Sequence, residues 1–195
     1  MKKAELTQEN LTLLEEKVGQ ILSGKRFSHT IAVAKEAVRL AEIYLPDQIH
    51  RIRAAALLHD ISGIMAPQEM YNFAITKGLE IDPAEEKYHA LLHQRVSKII
   101  AQEEYDITDI DILNAIECHT TLKKNASMYD KIIFIADKIS WDSKGIPSYD
   151  YLLKSCTTET LDEACYLYIK YQFDNNLLVM PHQWLIEAYE NLRKE

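Results

Sequence analysis

Apolar residues recur along much of this chain at intervals of three and four, which is the spacing of a helix that buries one face. The first such run contains Leu11, Leu14, Val18 and Leu22. No long stretch alternates apolar and polar residues as a half-buried strand would, and the chain has only five Gly and five Pro residues. The pattern therefore predicts an all-α fold, a helical bundle whose helices are joined by short turns.

Capping residues and prolines indicate where the predicted helices begin. Helix starts are expected at or near Thr7, Ser28, Pro46, Pro67, Asp82, Thr108, Ser127, Thr160 and Pro181. The stretch Asp82-Pro83-Ala84-Glu85 has an N-cap Asp, a Pro at the first helical position and a Glu at the third, and we expect one helix from there through Ile100. The helix that follows Ser127 is apolar nearly all round, so it is expected to lie at the centre of the fold.

Length and composition fit a single domain of residues 1–195, with a core of about 26–140 and C-terminal helices of 148–195 packed on it. The first residues are polar, and no apolar run approaches the length of a membrane span. The three cysteines lack Cys-x-x-Cys spacing and are expected to be reduced and mostly buried: Cys118, Cys156 and Cys165. We therefore predict a cytoplasmic protein without membrane association, and the sequence leaves a homodimer open.

One stretch, Ala56-Leu57-Leu58-His59-Asp60, leads an apolar run directly into a His and an Asp. Both side chains are costly to bury without a partner, and a metal ion is a partner that they can share. His29 opens another apolar-periodic helix, and Asp137 follows Ile-Ile-Phe-Ile-Ala in the most apolar helix. Each residue taken singly is more often structural, but together their order favours a divalent metal held by His29, His59, Asp60 and Asp137. Ligation by nitrogen and oxygen without thiolate suits Fe, Mn, Co or Zn.

Two further histidines, His93 and His119, lie within or at the edge of predicted helices. Either they bind a second ion, or they act on a phosphate as hydrogen-bond donors and proton carriers, which would make them catalytic together with Asp60. Thr120 follows His119, and its hydroxyl is expected either to reach a phosphate oxygen or to cap a helix. Three other histidines are assigned no role in the site. His89 is expected on the same helix face as His93, and His50 and His182 are expected at the surface.

The balance of charge limits the class of ligand. A formal net charge of −8 argues against nucleic-acid binding, which needs a basic face. A small polyphosphate stays compatible, because a metal ion and a few cationic side chains in one pocket would attract it. Arg26, Arg95 and Lys138 lie close in sequence to the predicted ligands and are candidates for binding such a substrate, although solvation at the surface is the usual role of such residues.

The order His…His-Asp…His…His…Asp resembles that of the HD-domain metal-dependent phosphohydrolases. Five stretches are similar to one bacterial family among them, the symmetrical bis(5'-nucleosyl)-tetraphosphatases (YqeK-like proteins): residues 25–30, 56–61, 91–93, 115–121 and 135–139. The resemblance implies an HD-domain helical bundle with a central site, in which iron is held by the four predicted ligands. It also implies that His93 and His119 lie against the phosphates of a bound nucleotide, and that diadenosine tetraphosphate is cut symmetrically into two ADP.

Two departures from that family bear on the substrate. The family continues after Asp-Lys-Ile with Glu-Pro and an Arg that helps to hold the nucleotide, whereas this chain reads Ser-Trp-Asp-Ser-Lys. Lys144 replaces the charge of that Arg without its planar bidentate contact, and Trp141 is expected either to stack on a base or to be buried. The residues after Asp60, Ile-Ser-Gly, lack the Lys or Asp often found there. Two alternatives stay open: another HD phosphohydrolase, acting on nucleoside monophosphates, dNTPs or cyclic nucleotides, and a nucleotide-binding sensor without turnover.

Overall fold

The computed structural model describes residues 6–22, 24–140, 153 and 160–193. Within these residues the chain forms helices, turns and loops and has no strand, which confirms the predicted all-α fold. Ten α-helices have their bounds there: α1 Gln8–Ile21, α2 Lys25–Tyr44, α3 Ile49–Leu58, α4 Pro67–Thr76, α5 Pro83–Lys87, α6 His93–Glu103, α7 Ile110–Glu117, α8 Met128–Ile139, α9 Leu161–Asp174 and α10 Gln183–Leu192. Three 3-10 segments join some of them: Pro46–Gln48, Ile61–Ile64 and His89–Leu92. None of the described helices is both long enough and apolar enough to cross a lipid bilayer.

Helix α8 lies at the centre of the bundle and contacts α2, α3, α7 and α9. All residues from Ile132 to Ala136 are fully buried. The ring of Phe134 meets the ring of Tyr168 on α9 edge to face, with 5.5 Å between centroids. A helix that is apolar all round can be covered on every side, so the predicted central position of the helix after Ser127 is confirmed.

Helix α3 is also buried along its C-terminal half, where α1, α2, α7 and α8 surround it. The residues from Ala54 to Leu58 are fully buried, and the three alanines among them let neighbouring helices approach closely. Because α3 ends inside the core, the residues after it begin in the interior. His59 is therefore fully buried, and Asp60 is only partly exposed.

Most of the predicted helix starts are confirmed by their caps. The hydroxyls of Thr7, Ser127 and Thr160 each accept a hydrogen bond from the backbone N–H three residues later. The predicted start at Ser28 is wrong. Gly24 precedes α2 with a φ of +56°, which glycine adopts freely, so the helix begins one turn earlier and the Ser28 hydroxyl donates to the Gly24 carbonyl at 3.2 Å.

The predicted continuous helix from Asp82 is wrong as well, because it is interrupted. Helix α5 is followed by a non-helical residue, Tyr88, and by the third 3-10 segment before α6 begins. His89 and His93 therefore do not share a helix face. The ring of His89 stacks on Tyr71 with 4.1 Å between centroids, whereas His93 opens α6.

A buried ionic cluster links α5, α6 and the start of α10. The fully buried Glu85 carboxylate accepts hydrogen bonds from the Asp82 N–H at 3.0 Å and from the Arg95 guanidinium at 2.7 Å. His182 is buried too, with Nε2 3.5 Å from Glu85 and Nδ1 accepting the N–H of Trp184. The surface position predicted for His182 is thus wrong. Contacts between distant parts of the chain, rather than local helix propensity, hold this region.

Several predictions concern residues outside the described part of the chain: Trp141, Lys144, Cys156 and most of residues 148–159. Of the C-terminal helices, α9 packs on α8 and α10 packs on α9. Cys118 and Cys165 are buried free thiols, as predicted.

Replacing Glu85 with Ala is expected to lower the free energy of unfolding by about 3–5 kcal/mol, because the largely buried Arg95 and His182 would lose their carboxylate. Urea denaturation followed by circular dichroism measures the change. The matched control is Glu86→Ala at the exposed neighbouring position, which is expected to cost less than about 1 kcal/mol. Equal effects of the two substitutions would show that the cluster does not stabilise the fold.

Candidate metal centre

The six predicted metal-binding and catalytic residues lie together, although they come from five separate helices. In chain order they are His29 near the start of α2, His59 and Asp60 directly after α3, His93 at the first position of α6, His119 just after α7, and Asp137 in the last turn of α8. Each is close to the end of its helix. The helix ends thus meet around one point in the bundle.

Each of the four imidazoles is oriented by a hydrogen bond from Nδ1 to a backbone carbonyl. For His59, His93 and His119 the acceptor is the carbonyl three residues earlier, at 2.7, 2.7 and 2.8 Å. For His29 it is the Ser140 carbonyl at 3.3 Å. A neutral imidazole that donates from Nδ1 has its free electron pair on Nε2, which is the arrangement of a histidine that binds a metal.

The Nε2 atoms face the two carboxylates. Nε2 of His29 lies 3.0 Å and Nε2 of His59 3.9 Å from Oδ1 of Asp137. His59 Nε2 is also 3.7 Å from Oδ2 of Asp60, whose Oδ1 is 3.5 Å from Nε2 of both His93 and His119. Two overlapping groups result, His29–His59–Asp137 and His59–Asp60–His119, and the donor atoms in each lie within 4.8 Å of one another.

These residues fit a divalent cation. His59 Nε2 is fully buried and has no hydrogen-bond partner among the described residues, a state that is costly unless another ligand meets its electron pair. The Nε2 atoms of His93 and His119 face each other at 3.0 Å while both Nδ1 atoms bond to carbonyls, so an electron pair points at an electron pair unless a proton or a metal intervenes. Nitrogen and oxygen donors without thiolate are the ligand set of Fe, Mn, Co or Zn.

The electrostatics keep both carboxyl groups ionised. Burial raises the pKa of Asp60, but the neighbouring His59 and His119 rings outweigh it and hold that pKa well below its usual range. Burial likewise opposes the charge of Asp137, and the adjacent Lys138 ammonium and the His29 ring lower its pKa nonetheless. Burial lowers the pKa of His119 to about 4, so this ring is neutral at pH 7.

Two buried polar residues that the sequence reasoning missed support the site. Gln94, directly after His93, accepts the N–H groups of Thr120 and Thr121 at 3.0 and 3.2 Å and thereby fixes the loop that carries His119. Ser62 donates to the His93 carbonyl at 3.0 Å. The only signal in the sequence is that each polar residue lies within three positions of a predicted ligand.

Besides His93 and His119, two of the predicted substrate-binding residues, Thr120 and Lys138, lie beside the centre. The Thr120 hydroxyl is 2.9 Å from His93 Nε2. Lys138 is buried, where its ammonium donates to Oδ2 of Asp137 at 2.6 Å and to the His119 carbonyl at 3.2 Å. Arg26 is exposed, and its side chain lies against Gly63, three residues after Asp60, where an added Cβ would be 3.2 Å from the Arg26 Cδ.

Other predicted residues are placed away from this point. Arg95 donates to the Glu80 carbonyl and to Glu85, both at 2.7 Å, and belongs to the ionic cluster described above. The Arg95 guanidinium is therefore already bound by protein groups. His50 is exposed, as predicted.

Comparison with known proteins places this geometry in a family context. The profile of the HD domain matches residues 26–142. A Staphylococcus aureus protein named symmetrical bis(5'-nucleosyl)-tetraphosphatase is 33% identical over 147 residues, which is 74% of each chain. A Bacillus subtilis protein of the same name is 29% identical over 182 residues, 88% of this chain and 95% of that one. The crystal structure of a predicted HD superfamily hydrolase involved in NAD metabolism, from Clostridium acetobutylicum, superposes with a TM-score of 0.82 at 30% identity, covering 93% of this chain and 95% of that chain.

Replacing Asp137 with Asn is expected to remove at least half of the bound metal, because the amide lacks the charge that the cation needs. The helical circular dichroism spectrum is expected to stay unchanged, since the amide has the same shape. Metal content per chain is measured by mass spectrometry after purification. The control is Asp174→Asn, at an exposed position on α9. Unchanged metal content in the Asp137 variant would exclude this residue as a ligand.

Proposed function

The chain belongs to the HD domain family, and on that premise we propose that it hydrolyses diadenosine tetraphosphate symmetrically into two molecules of ADP. The observation that carries the proposal is the pair of overlapping His/Asp groups with their Nε2 atoms aimed at two ionised carboxylates. The names of the Staphylococcus aureus and Bacillus subtilis relatives support the choice of substrate.

The proposed cofactor is iron, held by His29, His59, Asp60 and Asp137. A divalent ion at this position would act as a Lewis acid, polarising a phosphoryl oxygen and activating water at neutral pH. Mn, Co and Zn accept the same donor types and are the alternatives. The second of the overlapping groups, in which His119 joins His59 and Asp60, is the proposed position of a second ion if one binds.

The two remaining histidines differ in exposure, and we assign them different roles. The His93 side chain is 24% exposed, whereas that of His119 is 1% exposed. His93 Nε2 is thus the ring nitrogen that can reach a substrate, and in the protonated ring, whose Nδ1 still bonds to the Ala90 carbonyl, it would donate a hydrogen bond or proton to the oxygen between the second and third phosphates. His119 stays neutral, and its Nε2, 3.0 Å from His93 Nε2, would orient the protonated His93 ring by accepting its hydrogen bond.

Binding of the polyphosphate depends on local rather than overall charge. Asp60 and Asp137 bring two negative charges to the centre and the Lys138 ammonium brings one positive charge, and a divalent ion would add two further positive charges. Thr120 supplies a hydroxyl beside His93, and Arg26 supplies an exposed guanidinium suited to phosphate. These groups are proposed to bind the phosphates. Lys144 is proposed to join them.

The direct test uses protein purified without oxygen. Its metal content is determined by mass spectrometry, and the same sample is incubated with diadenosine tetraphosphate and the products are separated by chromatography. ADP as the sole product, lost on chelation and restored by iron, supports the proposal. Bound metal without ADP formation contradicts the proposed substrate. A panel of nucleoside monophosphates, dNTPs and cyclic nucleotides then shows which other nucleotide the protein hydrolyses. Tight nucleotide binding without turnover of any substrate would identify a sensor.

Replacing Thr120 with Val is expected to lower kcat/KM for diadenosine tetraphosphate about tenfold, because one hydrogen-bond donor to the phosphates is lost while the side-chain volume is kept. The metal content is expected to stay the same, which separates this effect from damage to the ligands. Thr76→Val, at an exposed position on α4, is the matched control. An unchanged kcat/KM would remove Thr120 from the substrate site.

A further inference from the structure

A cavity of about 390 Å³ opens directly beside the metal centre. Thr120 and Lys138 form part of its wall, and these are the residues that hydrogen-bond to His93, Asp137 and the His119 carbonyl. Ligand-binding pockets usually measure several hundred Å³ and are mostly apolar with a few polar groups. The cavity therefore has the size for a nucleoside and is adjacent to the place where the phosphates would be bound.

The rest of the wall is mainly apolar and aromatic. Leu91 lines it from the 3-10 segment before α6, Leu185 from α10 and Tyr168 from α9. The loop of residues 177–180, Leu-Leu-Val-Met, closes a further side, and Val179 in this loop is 75% exposed. A flat, largely apolar ring would bury this surface, and the hydrophobic effect favours such burial.

One polar side chain on this wall is uncommitted. Gln172 is the one carboxamide that lines the cavity among the described residues, and its side chain forms no hydrogen bond with any of them. Two other polar groups of the wall are engaged: Thr121 bonds to Gln94, and His182 accepts the N–H of Trp184. A carboxamide offers one donor and one acceptor side by side, which matches the N6 amino group and the adjacent ring nitrogen of adenine.

We propose that this cavity binds one adenosine of the substrate and that Gln172 reads the edge of its base. The inference rests on the proposed function and adds to it the residue that determines base specificity. Another cavity, of about 440 Å³, is lined by Arg95, Gln183 and Trp184. That cavity borders none of the ligands of the metal centre nor Thr120 or Lys138, so a nucleoside bound there would not be connected to the phosphate site.

The test compares two substitutions at Gln172 with one control. Gln172→Leu removes both hydrogen-bonding groups at similar volume, and Gln172→Glu replaces the donor with a second acceptor, which suits the N1–H and N2–H groups of guanine. The control is Gln183→Leu in the other cavity. The measured quantity is the ratio of kcat/KM for diadenosine tetraphosphate to that for diguanosine tetraphosphate, together with the equilibrium affinities for ADP, GDP and inorganic pyrophosphate.

Gln172→Leu is expected to weaken ADP binding about tenfold without changing pyrophosphate binding, and Gln172→Glu is expected to shift the kcat/KM ratio about tenfold towards guanine. The control is expected to change neither. An unchanged ratio in both Gln172 variants, with the unaltered protein active on diadenosine tetraphosphate, would overturn this inference alone. If the unaltered protein cleaves neither substrate and binds neither nucleotide, the proposed function fails and the inference fails with it.

Discussion

The structure depends on one repeated interaction, the hydrogen bond from a histidine Nδ1 to the carbonyl three residues before it. The Ala56 and Ile116 carbonyls that accept from His59 and His119 lie in the last turns of α3 and α7, where backbone carbonyls lack an intrahelical partner. The imidazole supplies that partner, and the same bond directs Nε2 into the bundle. Capping a helix and orienting a metal ligand are thus a single contact.

This contact constrains the rest of the fold. If the ligands lie at helix ends and the ends must meet, then α3 has to finish inside the core and the helix that carries Asp137 has to run through its centre. The continuous burial of α3 from Ala54 to Leu58 and the all-round apolar surface of α8 satisfy both conditions. The cost of burying two carboxylates there is offset by Lys138, whose aliphatic stem is buried as well and whose ammonium binds Asp137.

The fold and the centre were accessible from the sequence to the extent that local signals determine them. An apolar run that ends in His-Asp, and an Asp inside an apolar helix, each place a polar side chain in a segment that is expected to be buried. A shared cation explains both, and this can be inferred without knowing the fold. The break after α5 had no such signal, because Glu85 is held by Arg95 and by His182, almost a hundred residues away. The prediction at Ser28 was wrong because the positive φ of Gly24, which the apolar pattern does not reveal, lets α2 begin one turn earlier. The role of Gln94 likewise depends on a distant segment, the loop that contains Thr120, and the residues next to Gln94 do not reveal this contact.

The proposed site divides the recognition of a dinucleotide into two physically different parts. A chain of net charge −8 repels a polyphosphate at long range, and a divalent ion would add two positive charges at the centre, so binding of the phosphates would depend on the metal. Binding of a base in the apolar cavity beside Thr120 and Lys138 would not depend on the metal. Its burial against Leu91, Tyr168 and Leu185 is insensitive to the charge of the centre. Loss of the metal would therefore weaken the affinity for pyrophosphate more, in proportion, than the affinity for a nucleoside. In this arrangement the metal determines whether the phosphates can be bound and cleaved, and the cavity determines which nucleotide carries them there.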